Sequence, residues 1–132
     1  KVRIRSYDCD PRSFLENKSK YGESGKKYRR EFSTHREAQS YIKESPILSS
    51  LQETLYVEYK RTAYIFDSFN EKYRVTLDQG LTYFPPNREF SIQDDIIIFE
   101  IKFSEVGREQ TRLRNMLSFY EEAVSKYSRG VR

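Results

Sequence analysis

The chain has 132 residues, of which 36% are hydrophobic, 33% charged and 15% aromatic, and its formal net charge is +4. This composition predicts one globular, β-rich domain and excludes an intrinsically disordered chain. The single cysteine, Cys9, and the single histidine, His35, exclude a disulfide framework and a zinc site built from Cys and His. We expect a cytoplasmic protein, because this cysteine content favours a reducing compartment, and no membrane span, because no apolar run is long enough.

Charge is unevenly distributed along the sequence. Residues 1–36 contain 11 Lys and Arg against 5 Asp and Glu, whereas the rest of the chain contains 13 against 15. A basic end of this kind indicates an anionic partner. General nucleic-acid binding is the least favoured form of that partner, because no helix carries a basic stripe and no known recognition motif is present.

The predicted N-terminal strands carry charged residues at alternate positions. Because successive side chains of a strand point to opposite faces, residues at every second position share a face. Each of the first two strands therefore has one charged face, with Lys1, Arg3 and Arg5 on the strand at 1–5 and Glu16, Lys18 and Lys20 on the strand at 13–20. A glycine-bearing turn at 21–25 leads to a third strand at 26–32, which places Lys27 and Arg29 on one side.

Two helix starts are predicted after these strands. Thr34 and Glu37 have the spacing of a capping box, which predicts a short helix through Ile42. Ser45 and Pro46 predict a second helix, in which Ser45 is the cap and Pro46 occupies the first helical position.

A hairpin is predicted at the centre of the chain, from Leu55 to Asp78, with its turn at Asn70 and Glu71. The odd positions of its first strand form a mostly apolar face with Arg61 in the middle. On the second strand, every second residue from 74 to 78 is polar or charged, namely Arg74, Thr76 and Asp78.

Two interpretations of this charged face stay open. Antiparallel sheets commonly keep one face in water, so a charged face on any single strand needs no function. For Asp78 in particular, a role as a turn residue before Gln79 and Gly80 is favoured over a role as a metal partner.

The C-terminal third predicts a loop, a strand and a helix. Residues 83–87 contain consecutive prolines, which cannot sit in a central strand. The strand at 96–103 places Glu100 and Lys102 on one face. After Gly107 the helical spacing of apolar residues predicts a helix that runs to about Lys126 and packs against the sheet.

The repetition of charged faces on several strands poses an electrostatic problem, because like charges at short distances repel. A flat, solvated surface is one solution. The other is a curved sheet that closes on itself, so that cations grip a polyphosphate and carboxylates hold a hard divalent metal through oxygen. Arginine suits phosphate because its planar fork binds it in a bidentate manner.

Six motifs in sequence order resemble one family. They are Lys-Val-Arg-Ile-Arg-Ser-Tyr, Phe-Leu-Glu-x-Lys-x-Lys, Lys-Tyr-Arg-Arg, Tyr-x-Arg-Thr-Ala-Tyr, Tyr-Arg-Val-Thr-Leu-Asp and Phe-Glu-Ile-Lys-Phe. In this order they resemble the VTC (vacuolar transporter chaperone) domain of polyphosphate polymerases, which belongs to the triphosphate tunnel metalloenzymes and is related to the CYTH domains. The resemblance covers nearly the whole chain.

The resemblance implies an α+β fold in which an antiparallel β-barrel forms a tunnel with outer helices. It further implies Mn²⁺ or Mg²⁺ as cofactor, and growth of polyphosphate by transfer of the γ-phosphate from a nucleoside triphosphate. Members of the superfamily begin with a strand of alternating Glu and a Lys, which does not precede Lys1. Residues 1–132 are therefore expected to be the larger, C-terminal part of a single VTC-like domain, with a barrel that is incomplete at its N-terminus.

The resemblance also implies roles for individual residues. Phosphate binding is expected at Arg3, Arg5, Lys18, Lys20, Tyr59, Arg61, Arg74, Lys126 and Arg129. Among these, Arg61, Arg74 and Lys18 are expected to act in catalysis. Metal binding is expected at Glu100, in the Glu-x-Lys motif, and at Glu16.

Two other functions use the same residue types. A non-catalytic module would bind polyphosphate or inositol phosphates with the same cations and no turnover. A hydrolase would cleave inorganic triphosphate or an RNA 5′ triphosphate, and would differ from a polymerase in the group that accepts the phosphate.

Overall fold

The computed structural model describes residues 1–21, 24–68, 71–103, 108–117 and 124–131, without the side chains of residues 20, 21, 24, 68, 71 and 108–110. Within it the chain divides into two compact units, Lys1–Gln52 and Glu53–Arg132. Among the described residues, the first unit is an antiparallel sheet with one helix and the second is an antiparallel sheet with two helices.

The first unit is a three-stranded sheet followed by a helix. Its strands are β1 (Val2–Tyr7), β2 (Asp10–Tyr21) and β3 (Ser24–Phe32), and they lie in that order. The helix α1 (His35–Glu44) follows β3. All pairings are antiparallel, as expected for strands joined by short connections.

Helix α1 begins where the capping box predicts. The Thr34 side chain accepts a hydrogen bond from the Glu37 amide, and the Glu37 carboxylate accepts one from the Ser33 amide, at 3.2 and 3.0 Å. The helix packs its buried Ala38 toward the sheet, and Tyr41 contacts the ring of Phe32 at 5.3 Å between centroids. Phe32 pairs with Ser13, so α1 covers the face of the sheet opposite to that of Phe14 and Glu16.

The second unit is built around one long strand. Strand β5 (Glu71–Phe84) pairs with β4 (Tyr56–Ser68) on one side. On the other side it pairs with β6 (Ile92–Asp94) near its end and with β7 (Ile98–Phe103) along its first half. Two helices, α2 (Arg108–Leu117) and α3 (Lys126–Gly130), complete the unit.

The two faces of this sheet differ in chemistry. One face is apolar and forms a shallow groove to which Leu113 of α2 contributes, with Tyr64, Phe66, Tyr73, Val75, Leu77, Phe99 and Ile101 from the strands. The opposite face brings the odd residues of β4 together with the even residues of β5, because Arg61 pairs with Asp78 and Ile65 with Arg74. The predicted packing of a C-terminal helix against the sheet agrees with this arrangement.

A bulge changes the alternation near the end of β5. Lys60 pairs with Gln79, but Glu58 pairs with Thr82, so β5 contains one extra residue at this point. Gly80 has a φ of 64° there, a left-handed conformation that glycine adopts without strain. Because of the extra residue, Leu81 and Tyr83 share the face of Asp78, and both are buried.

The α+β class, the antiparallel sheets and the helices of the prediction are confirmed. Within the described residues neither sheet closes into a barrel, so the tunnel stays a prediction. In the described part of the chain, no helix combines the length and the apolarity needed to cross a membrane.

Two helix predictions are wrong in part. At Ser45, the cap bond forms, since the Leu48 amide donates to Ser45 Oγ at 3.3 Å, but residues 46–50 form turns rather than a helix. The serines at 49 and 50 compete for backbone hydrogen bonds and do not favour propagation. The long C-terminal helix is described only to Leu117, and residues 118–123 lie outside the described part. Val124 and Ser125 are not helical, and Ser125 caps the separate helix α3.

Strand boundaries also differ from the prediction. Glu71, predicted in the hairpin turn, belongs to β5 and pairs with Ser68. Tyr83 and Phe84, predicted in a loop, extend β5, so that the loop begins at Pro85. The physical reason is the same in both cases, because ladder pairing with a neighbouring strand outweighs weak local preferences.

Candidate functional site

A basic face lies on the sheet of the first unit. Alternation and register place its side chains together, because Arg3, Glu16 and Arg29 pair in one row and Lys18 and Lys27 in the next. We call this surface face 1, and its cations are Arg3, Arg5, Lys18, Lys27 and Arg29.

Glu16 is the centre of face 1. Its side chain is only 1% exposed, and its Oε2 accepts bonds from Arg3 Nε at 2.7 Å and Nη2 at 2.6 Å. Lys27 Nζ and Arg29 Nε lie farther away, at 3.6 and 3.8 Å from Oε1. Burial raises the pKa of Glu16, but the hydrogen bonds and charges of Arg3, with those of Arg5 and Lys27, outweigh it and hold the pKa below its usual value.

Lys27 and Arg29 are cations that the sequence-based site assignment leaves out. The alternation of residues 26–32 is the signal that identifies them, since it puts both on one side of β3. Arg29 also stacks over the Phe14 ring at 3.9 Å from its centroid, which fixes the guanidinium above the sheet.

Lys18 and Lys20 both lie on β2. Lys18 lies on β2 directly opposite Lys27. Lys20 belongs to the same strand, opposite Gly25, but its side chain is outside the described part of the chain.

A second basic face lies on the charged side of β4, β5 and β7. We call it face 2. Its cations are Arg61, Arg74 and Lys102 from the strands and Lys126 and Arg129 from α3, and its carboxylates are Asp78, Glu100 and Asp94.

Asp78 is the centre of face 2, so the interpretation of Asp78 as a turn residue is wrong. It lies within β5, its side chain is 1% exposed, and its oxygens accept bonds from Arg61 Nε at 2.5 Å and Nη2 at 2.7 Å. Lys126 Nζ lies 2.6 Å from Oδ2. Burial raises the pKa of Asp78, but the hydrogen bonds of Arg61 and Lys126 outweigh it and lower the pKa below its usual value.

Tyr59 joins the two cations of this centre. The Arg61 guanidinium lies 5.5 Å and the Lys126 ammonium 4.8 Å from the centroid of its ring. Both distances are within the range of a cation–π interaction. The hydrogen bond to Asp78 raises the pKa of Arg61, although burial opposes it, so Arg61 remains charged at every physiological pH.

Helix α3 is attached to face 2 at a second point. Arg129 Nε donates to Asp94 Oδ2 at 2.7 Å, and this hydrogen bond is the largest cause that lowers the pKa of Asp94. Gly130 lies against the side chains of Tyr83 and Leu55, so close that a Cβ atom at this position would overlap the Tyr83 ring. The helix thus places Lys126 and Arg129 over the same face as Arg61. Both residues are expected from the sequence to bind phosphate.

Arg74 and Lys102 form the outer part of face 2. They lie directly opposite each other in the β5–β7 ladder, and both are exposed. Lys102 Nζ lies 3.1 Å from Glu100 Oε1. Glu100 itself pairs with Thr76, a buried residue whose hydroxyl has no hydrogen-bond partner among the described residues.

The carboxylates of faces 1 and 2 differ in how well they could hold a divalent metal. Within the described ranges no three His, Cys, Asp or Glu side chains group together as metal ligands would. Glu100 nevertheless fits Mg²⁺ or Mn²⁺, because it is partly exposed, adjoins the unpaired Thr76 hydroxyl, and such ions are often held by one or two carboxylates plus substrate phosphates. Glu16 fits less well, since three cations already contact it. Both metal assignments stay predictions.

Comparison with known proteins agrees with the resemblance in the motifs. The family scan matches the VTC domain over residues 1–132. Comparison with curated proteins and with solved structures gives no significant match. Because the match extends over the whole sequence and includes both basic faces, the chain belongs to the VTC domain family.

Proposed function

We propose that this domain binds nucleoside triphosphate and polyphosphate through faces 1 and 2 and extends polyphosphate by transfer of the γ-phosphate. The VTC domain family is associated with polyphosphate polymerase activity, which supports this proposal. The cytoplasm is the compartment we propose, since one cysteine in 132 residues is typical of a reducing environment.

The main structural support for this proposal is that cations lie side by side in both sheets. Lys18 lies opposite Lys27, and Arg74 lies opposite Lys102. Directly opposed like charges repel each other, and although Glu16 and Glu100 offset part of this repulsion, a bound anion between the cations would reduce it further. An elongated anion with many charges matches rows of cations better than a single phosphate does.

The cations supply what phosphoryl transfer needs. In the reaction, an oxygen of the terminal phosphate of the acceptor forms a bond to the γ-phosphorus, while the bond from that phosphorus to the β–γ bridging oxygen breaks. The electron pair leaves with the nucleoside diphosphate. Positioning and charge neutralisation account for most of the acceleration of such reactions. We assign these roles to Arg61, Arg74 and Lys18, with Arg3, Arg5, Lys20, Tyr59, Lys126 and Arg129 as further phosphate ligands.

Glu100 is the residue that we propose to hold Mn²⁺ or Mg²⁺, together with oxygens of the bound phosphates. When bound, the metal would neutralise charge on the β- and γ-phosphates. We propose Glu16 chiefly as the carboxylate that orders the cations of face 1, with metal binding there as the second possibility.

A non-catalytic polyphosphate or inositol phosphate module is the alternative that one observation favours. Both carboxylates that are buried among the described residues, Glu16 and Asp78, are engaged by cations, and the described residues hold no three-ligand cluster. A triphosphate hydrolase is the remaining alternative, since it would need the same contacts and a water molecule as acceptor.

One incubation distinguishes these functions. The protein is incubated with ATP and Mn²⁺ or Mg²⁺, and long polyphosphate and free phosphate are both measured. Polyphosphate supports the polymerase, free phosphate alone supports the hydrolase, and binding of polyphosphate without either product supports the non-catalytic module. Loss of product in Arg61→Ala and Glu100→Ala, with wild-type product in Lys60→Ala, would assign the chemistry to face 2. Lys60 is a suitable control because it is exposed and points to the opposite face of β4.

A further inference from the structure

We propose that Asp78 is a positioning residue, which holds Arg61 and Lys126 at a fixed spacing before an anion binds. The inference deepens the function proposed above and rests on it. It concerns a buried carboxylate within a surface that we assign to anions, a combination that needs an explanation because an anionic side chain alone would repel the ligand.

The contacts of Asp78 fix both cations. Arg61 is bound through Nε and Nη2, which is the bidentate geometry in which a guanidinium has least freedom. Lys126 is bound to the oxygen that Nη2 also contacts. Asp78 does not contact Nη1 of Arg61. The Nη1 amino group can therefore donate to another acceptor while Nε and Nη2 stay bound to Asp78.

Exposure shows which groups lie nearest the solvent. Asp78 is 1% exposed, whereas the side chains of Arg61 and Lys126 are 24% and 22% exposed. The carboxylate is therefore covered by the two cations that it orders. An anion that arrives from solvent meets positive charge first, and the repulsion from Asp78 is reduced by the cations that lie over it.

Pre-ordering has a direct effect on affinity. Long cationic side chains lose rotamer freedom when they are fixed, and this cost weakens binding if it is paid only when the ligand arrives. Asp78 and the Tyr59 ring fix Arg61 and Lys126 during folding instead. An asparagine could not do the same, because its side chain has one acceptor oxygen and would present an NH₂ group to a cation.

Affinity for inorganic tripolyphosphate tests the inference, measured by calorimetry on wild type, Asp78→Asn and Asp67→Asn. The two variants remove the same charge, but Asp67 pairs with Lys72 at 3.2 Å on the exposed surface of the sheet. If Asp78 positions the cations, Asp78→Asn binds about tenfold more weakly, and Asp67→Asn changes by less than twofold. If net charge alone matters, both variants bind as tightly as wild type or more tightly, and the inference is overturned.

A measurement on the wild-type protein covers the case in which Asp78→Asn does not fold. Side-chain NMR of uniformly ¹⁵N-labelled protein compares hydrogen exchange at Arg61 Nε with that at Arg36 Nε, which lies on the exposed surface of α1. Slower exchange at Arg61 supports a fixed guanidinium, and equal exchange overturns the inference. Failure of the two proposals is distinguishable, because a wild-type protein that does not bind tripolyphosphate refutes the proposed function itself.

Discussion

Faces 1 and 2 solve the same electrostatic problem in different ways. In face 1, one oxygen of Glu16 accepts both bonds from Arg3, and the other oxygen accepts no hydrogen bond from the residues that the structure describes and has two cations at 3.6 and 3.8 Å. In face 2, both oxygens of Asp78 are occupied by bonds of 2.7 Å or less. Lys27 can therefore turn toward a ligand without breaking a hydrogen bond to Glu16, and Arg29 is held mainly by stacking on Phe14, whereas Asp78 holds both Arg61 and Lys126 by short bonds.

The greatest loss of activity should come from a substitution in face 2. If the proposed function is correct, Arg61→Ala removes a fixed donor to the transferred phosphate and should lower kcat with ATP about 100- to 1,000-fold. Arg29→Ala removes a cation that stacks on Phe14 and lies 3.8 Å from Glu16 Oε1, and it should lower kcat by only about tenfold. Equal losses in the two variants would show that the two faces do not differ in this respect. Lys60→Ala is the control for each measurement.

The two buried carboxylates should also differ in how much each contributes to the free energy of unfolding. Asp78→Asn breaks three short charged contacts and should lower the free energy of unfolding by about 3 kcal/mol. Glu16→Gln should cost only about 1 to 2 kcal/mol, because its partners are more exposed and one of its oxygens has no hydrogen bond. Urea unfolding at pH 7 measures both values, and a greater loss for Glu16→Gln would reverse the comparison.

Low pH should reduce the stabilisation of the fold by Glu16 and by Asp78. The pKa values of Glu16 and Asp78 are lowered in the folded protein, so the folded state binds fewer protons than the unfolded chain. Their stabilisation is fully present above the unfolded pKa values of about 4 and is lost as the pH falls through the lower folded values. Urea midpoints between pH 7 and pH 3 should therefore decrease below about pH 4. In Asp78→Asn the decrease should be smaller, and an unchanged slope would contradict this assignment.

The contribution of α3 can be tested without changing a charge. Gly130→Ala places a methyl group against the buried Tyr83 ring, so the helix must shift. Because α3 carries Lys126 and Arg129, affinity for tripolyphosphate should fall about threefold, which is a fraction of the effect expected for a lost charged contact. Calorimetry measures the change, and an unaltered affinity would mean that the position of α3 does not matter for anions.

The smallest effect is expected far from either charged centre. Thr34→Ala removes the cap of α1 and should lower the free energy of unfolding by about 1 kcal/mol. Affinity for tripolyphosphate should not change, because α1 covers the opposite side of the sheet from face 1. A changed affinity would show that the helix and the basic face are coupled.

Sequence patterns predicted the strands and their charged faces well. Period-two alternation placed Arg3, Lys18, Arg61 and Arg74 on faces that the structure also gives them, because side-chain direction in a strand follows from local geometry. The helix at Thr34 was predictable for a similar reason, since its cap is formed by residues three positions apart.

The features that sequence patterns did not predict depend on contacts between residues far apart in the chain. Asp78 resembles a turn residue by its neighbours Gln79 and Gly80, and only pairing with Arg61 and the approach of Lys126 define its role. Asp94 gave no signal in the sequence, because its partner Arg129 is 35 positions away. The short strand β6 likewise exists through its pairing with β5 rather than through its own residues.

The extra residue at Gly80 has a consequence for how this domain tolerates change. Before it, even-numbered side chains of β5 point to face 2, and after it odd-numbered ones do. Deleting this single glycine would place Leu81 and Tyr83 two and four positions after Asp78, so both would still point to face 2 and the ladder would lose only its bulge. Inserting one residue after Gly80 would instead turn Leu81 and Tyr83 to the other surface, and α3 would lose its contact with the Tyr83 ring. Near Gly80, an insertion of one residue should therefore be far more damaging than a deletion of one residue.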